Sequence, residues 1–127
     1  MMQILILERR ATKVIAAITV LTGAAQVIAP GSLLALIADT PPDRLAAQLF
    51  ATVGMFMMLF GGILLNAQRR TEALSVVLLW GAFQKLLASA FVTWGVAHGV
   101  FIPAALLVAT FDGASGLLYL ELRRRGG

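Results

Sequence analysis

The sequence predicts an all-α, four-helix transmembrane bundle threaded up-down-up-down, and three observations predict it. First, the 127-residue chain is 60% hydrophobic and only 13% charged, with a mean hydropathy of +0.92. A soluble domain of this size buries only about 60–70% of the surface its unfolded chain exposes, so the remaining apolar surface calls for lipid. Second, the apolar residues fall in four continuous segments, at about 11–29, 45–66, 73–97 and 100–122. Roughly 20 apolar residues are enough to cross ~30 Å of hydrocarbon. Third, these segments lack the alternation of a membrane barrel strand, and a helix satisfies its own backbone in lipid.

The first segment stops at Pro30-Gly31. Proline removes a backbone donor and clashes with the preceding turn, so a break is expected there, followed by a short interfacial helix over 32–38. The alternative is a kink with continuation to Ala38. The second segment follows the polar stretch from Asp39 to Arg44, and Asp43 is placed to cap it. The third follows Ala67 to Glu72, with Thr71 as its expected cap. The fourth follows a tight turn at His98-Gly99. Connections this short make consecutive helices antiparallel neighbours.

Orientation follows from the cations. Arg9, Arg10 and Lys13 precede the first span, Arg69 and Arg70 join the second to the third, and Arg123, Arg124 and Arg125 follow the fourth. With four spans these all share one side, while the other holds Arg44, His98, Asp39 and Asp43. The positive-inside rule then puts both termini in the cytoplasm, with a bacterial inner membrane as the expected location. Ala24-Ala25-Gln26 resembles a signal-peptide cleavage site only loosely, so the first span is expected to be retained.

The net charge of +4 does not point to nucleic acid, because the cations flank apolar spans and form no face interleaved with aromatics. The expected partners are the lipid bilayer and either a second copy of the chain or a membrane complex. The absence of cysteine excludes disulfides, thiolate metal sites and CxxC chemistry. With one histidine, paired axial histidines for haem are excluded as well. No catalytic triad, HExxH, Walker or dinucleotide motif occurs. Met55, Met57 and Met58 fall on different helix faces without His or Cys company, and no metal site is expected.

Two ionisable residues lie deep in the spans, Lys85 in the third and Asp112 in the fourth. Each costs roughly 2.5–3.5 kcal/mol at a helix centre. Counted from the common end, their depths agree within about 3 Å at 1.5 Å per residue, so an intramembrane Lys85–Asp112 pair is expected. Such a pair either locks two helices in register or marks a proton-linked or ligand site. Gln84 adjoins Lys85 but points about 100° away. Gln26 and Gln48 lie at similar depth toward the outer ends of their helices, positioned to bond to each other or to face a small vestibule. Gly54, Gly61 and Gly62 in the second segment, and Gly113 and Gly116 in the fourth, read as helix-packing positions, since small residues let helices approach closely. Trp94 and Tyr119 are expected near the interfaces, where aromatic belts form.

Gly23-Ala24-Ala25-Gln26 resembles Gly81-Ala82-Phe83-Gln84 at an offset of 58 residues, and Ala51-Thr52 matches Ala109-Thr110 at the same offset. This is either a tandem repeat of one helical hairpin, as in some transporters, or coincidence among small apolar residues.

A basic N-terminus, Gly23 within the first helix, Pro30-Gly31 after it, Gly54, Gly61 and Gly62, and four short-looped spans together resemble the small bacterial DoxX-like membrane proteins. The resemblance is one of architecture over most of the chain. It implies an association with quinone or thiosulfate redox chemistry in some members, hence quinone as a cofactor. It carries no catalytic residue across, and Lys85 and Asp112 are not part of it. Three roles follow as expectations: a non-enzymatic protein supporting a membrane complex or the envelope, an oligomeric transporter or channel built on Lys85 and Asp112, and a quinone-associated redox subunit.

Overall fold

The structure, a computed structural model, describes residues 1–126, and for Thr71 the backbone alone. It contains five α-helices, α1 Met2–Ile28, α2 Pro30–Ile37, α3 Arg44–Ala67, α4 Thr71–Ala97 and α5 Leu106–Arg124, with a 3₁₀ turn at Pro103–Ala105 before α5. Four segments are long and apolar enough to cross a membrane: α1, α3, α4 and the stretch from Pro103 through α5.

α1 begins at Met2, well before the expected residue 11, because no glycine or proline interrupts the chain before Gly23. Its 27 residues extend about 40 Å, further than the ~30 Å a hydrocarbon core requires. At its other end the break at Pro30 is present. Ala29 has φ −134° and ψ 60°, outside the helical region, as a residue before proline prefers. Pro30 then takes the first position of α2, where its missing N–H costs nothing. The short helix therefore starts at the proline itself, two residues before the expected 32.

α3 starts where Asp43 accepts a hydrogen bond from the Ala46 N–H at 2.7 Å. Asp43→Ala should cost about 1 kcal/mol of stability, the usual worth of such a cap, read as a lowered unfolding midpoint in detergent. Arg70 occupies the N-cap position of α4, and the expected capping side chain of Thr71 lies outside the described residues. The turn at His98-Gly99 needs Gly99 at φ +74°, a left-handed conformation that glycine adopts without a Cβ penalty. The last helix starts later than the expected residue 100, because residues 100–102 run extended. The Asp39 N–H donates to the Val100 carbonyl at 3.0 Å, and the Ile102 N–H to Ile37 at 2.8 Å, which sets Ala38 opposite Phe101.

α1 packs mainly against α3, and α4 against α5; the two hairpins then meet along α3 with α4 and α1 with α5. The result is a square bundle with α1 diagonal to α4. Polar rungs join the hairpins at three depths. The backbone pairing just described closes the end opposite the chain termini. Lys85 Nζ donates to Thr19 Oγ1 at 2.9 Å in the middle. Arg125 reaches the Glu8 carboxylate at 3.5 Å at the end that carries the termini. The apolar core, Ala16, Leu64, Ala67, Leu74, Leu78, Ala82, Tyr119 and Leu122, fills the bundle between the last two rungs. Large apolar side chains such as Leu21, Leu87, Phe91, Trp94 and Leu107 point outward and are exposed, the arrangement expected of a surface that meets lipid.

The 58-residue offset does not relate positions of equal depth. Thr19 meets Lys85 across a separation of 66 residues, so the matched Gly23 and Gly81 differ in depth by about 12 Å, eight residues of helix at 1.5 Å each.

Candidate functional site

The buried face of α1 carries no large apolar residue. It reads Glu8, Thr12, Ala16, Thr19, Gly23 and Gln26, spaced three and four apart so that all fall on one stripe. Between lipid and protein there is little hydrophobic preference to drive apolar residues inward, and close packing with polar contacts takes over. This polar and small stripe runs about 27 Å from Glu8 to Gln26 at 1.5 Å per residue, close to the full hydrocarbon thickness.

Its centre is the site. Lys85 is 2% exposed and crosses the bundle from α4, so that its ammonium lies between α1 and α5. It donates to Asp112 Oδ1 at 3.0 Å and to Thr19 Oγ1 at 2.9 Å, while the Thr19 hydroxyl donates to the Ile15 carbonyl at 2.9 Å. The Phe111 ring centroid lies 5.4 Å from the ammonium, within cation–π range. An ammonium has three N–H donors; two are used by protein acceptors among the described residues. Beside Lys85 is a cavity of about 10 Å³ lined by Thr19, Gln84 and Tyr119 together with Gly61 and Gly81, room for about one water. Gln84, half-buried, thus shares this space with Lys85 although it is the next residue along the helix.

The other sequence candidates separate. Gln26 is buried on α1 and its Nε2 donates to Met57 Sδ at 3.3 Å, while its Oε1 has no partner. Gln48 is exposed on the outer side of α3, so the two glutamines neither bond nor share a vestibule. Gly54 and Gly61 both face α1. A Cβ on Gly54 would come within 2.7 Å of the Gly23 carbonyl, and one on Gly61 within 2.7 Å of the Ala16 carbonyl. Gly62, one residue and about 100° further round, faces open space and packs on nothing. Gly116 and Gly113 face α4, where added Cβ atoms would meet Leu86 Cγ at 2.7 Å and Ser89 Oγ at 3.1 Å. Tyr119 is 2% exposed and belongs to the core rather than to an interfacial belt, because Gly81 opposite leaves room for its ring. Trp94 does lie near a helix end, its ring 4.8 Å from that of His98, and the His98 Nδ1 donates to the Trp94 carbonyl at 2.9 Å.

Thr12, Thr19 and Glu8 were not singled out by the sequence. Threonine is ordinary in membrane helices, where its hydroxyl bonds the carbonyl a turn back, as Thr12 does to Glu8 at 2.8 Å. The signal that finds them is their spacing on one stripe with Ala16 and Gly23. Among the described residues no group of His, Cys, Asp and Glu is arranged to hold a metal ion. Compared with family models, curated proteins and solved structures, the chain gives no match.

Proposed function

We propose that the chain is a non-enzymatic membrane bundle that supports a larger membrane complex or the envelope, and that Lys85 is the tie that makes its two hairpins one rigid unit. The observation that carries this reading is the sharing of one buried ammonium between Thr19 of the first hairpin and Asp112 of the second. Holding a charge this way constrains three helices at a single point. The adjoining cavity of about 10 Å³ is far below the few hundred Å³ of a site for a small-molecule substrate, which favours a supporting role over carriage of a solute through a single bundle. The proposed setting is a bacterial inner membrane with both termini in the cytoplasm, for which the support is the cluster of Arg9, Arg10, Lys13, Arg69, Arg70 and Arg123 to Arg125 at one end.

The competing reading, an oligomeric transporter, is favoured by the polar stripe along α1. Reconstitution of the purified chain in liposomes decides between them. The supporting role expects no proton-linked flux, and expects Lys85→Met and Asp112→Asn to lower thermal stability alone. Flux in the wild type that either substitution abolishes would establish transport instead. Quinone recovered with the purified chain would favour the redox role that the DoxX-like resemblance implies.

A further inference from the structure

The outer side of α1 differs from that of the other spans. The outward residues of α3, α4 and α5 lie between the charged residues and turns that bound those helices, so lipid covers them. α1 continues past its cations. From Arg10 to Ile28 the helix rises about 27 Å at 1.5 Å per residue, which already fills most of the ~30 Å of hydrocarbon. Ile4, Ile6 and Leu7 lie beyond Arg9 and Arg10 on the terminus-bearing side and are 45–67% exposed. Lipid tails do not extend there, and a run of apolar side chains facing water marks an interaction surface.

The pattern of this surface points to a second copy of the chain as its occupant. Leu7, Val14, Leu21 and Ile28 stand seven residues apart and are 57–82% exposed, on the side of α1 away from the buried stripe of Glu8 to Gln26. A straight helix drifts about 20° per heptad from such a row, so a strict repeat of seven favours a left-handed supercoil with another helix. Its three heptads are long enough to mark a coiled-coil seam. Ala17 and Ala24, three residues after Val14 and Leu21, let a second backbone come close. Beyond the hydrocarbon the row meets a ready hole. Gln3, Ile6, Leu7 and Arg10 line an open hollow, and their spacing of three, four and seven residues makes them the four surface neighbours that receive one knob in a coiled coil. Two copies inserted with the same orientation present their α1 helices in parallel, so equal positions of the repeat face each other and the knob for this hole is the partner's Leu7. Hole and knob then belong to one segment, the self-complementarity that a two-fold interface requires. Arg10, at the rim of the hollow and the boundary of the hydrocarbon, carries its charge out to the headgroups on a long side chain.

We propose that two copies of the chain pair in parallel through the outer row of α1, with each Leu7 seated in the hollow of the other copy and the projecting turns of both helices joined beyond the membrane. Two forces act along the row. Outside the hydrocarbon, pairing removes apolar surface from water. Within it, close packing at the alanines takes over. The contact leaves the Lys85 site of each copy intact, because Glu8, Thr12 and Thr19 lie on the buried face of the same helix. Pairing goes beyond the supporting role and does not rest on it: the role is read from flux and from the Lys85 variants, and pairing from the position of cross-links.

The chain has no cysteine, so one introduced thiol reports its own neighbours. Full-length Leu7→Cys, Val14→Cys and Leu21→Cys in phospholipid vesicles should each form disulfide-linked dimers under a mild oxidant, since equal positions of a parallel seam bring two α-carbons near the ~6 Å of a disulfide. Thr22→Cys, exposed but about 100° round the helix from Leu21, and Leu107→Cys, 77% exposed on α5, should stay monomeric. Energy transfer between labelled chains diluted in the same vesicles measures the affinity without thiols. There Leu7→Glu should weaken pairing about tenfold, the worth of one leucine buried on association, and leave the helical content unchanged. Cross-links at none of the five positions, or at all five alike, would overturn the proposal. Cross-links at Leu107→Cys in place of the α1 row would do so too, as would undiminished pairing in Leu7→Glu.

Discussion

Lys85→Met should destabilise the bundle by about 3 kcal/mol and Asp112→Leu by a similar amount, whereas the two together should cost less than either alone. The ground is an asymmetry between breaking a buried pair and replacing it. Removing one partner strands the other charge in a low-dielectric interior, which costs roughly 3–5 kcal/mol, while exchanging both for apolar residues is often neutral. The pair is well inside, with side chains 2% and 11% exposed for Lys85 and Asp112. Polar contacts between membrane helices average only about 0.6 kcal/mol, so a single-variant loss of that size would mean the pair acts as an ordinary hydrogen bond. Chemical unfolding in mixed micelles distinguishes the two.

The second large effect is expected at Gly23. Its added Cβ would meet the Gly54 carbonyl, the Met58 amide nitrogen at 2.8 Å and Met58 Cγ at 2.9 Å. Two of these three are backbone atoms, which cannot swing aside. Gly23→Leu should therefore force α1 away from α3 and cost at least the 1–3 kcal/mol typical of overpacking. Gly62→Leu is the matched control, since nothing lies within 4 Å of its Cβ; it should stay within about 0.5 kcal/mol of wild type, as surface substitutions do. Comparing expression and unfolding midpoints of the two variants checks this. Equal losses would mean that glycine content, rather than close approach, governs the first hairpin.

Much of this architecture was legible because lipid imposes simple rules. Segment length and apolar continuity gave the spans, and proline chemistry gave the break at Pro30. Depth counting put Lys85 opposite Asp112, since both sit on helices joined by a short turn. What the sequence did not reveal lies between hairpins. Thr19 is separated from Lys85 by 66 residues, and no local pattern specifies which helix stands across the diagonal. The pairing of Ile37 and Asp39 with residues 100–102 is likewise made by backbone groups, to which side-chain identity gives no clue. Gly62 was misread because three glycines of one helix were grouped by composition, whereas the angle between Gly61 and Gly62 separates a packing face from an open one. Tyr119 was misread because an amphipathic ring near a helix end suggests an interface, and only the space opposite at Gly81 shows that the ring turns inward.

The most direct test of the central claim, that Lys85 ties the two hairpins together, is a double-mutant cycle between Thr19→Val and Lys85→Met, measured by unfolding in lipid-detergent micelles. Valine keeps the shape of threonine and removes the hydroxyl that accepts from Lys85 and donates to the Ile15 carbonyl, and the cycle isolates the part shared with Lys85. The account expects a coupling energy of about 1 kcal/mol, the worth of one buried hydrogen bond to a charged group in this setting. Losses that add within roughly 0.3 kcal/mol, as for independent sites, would contradict it.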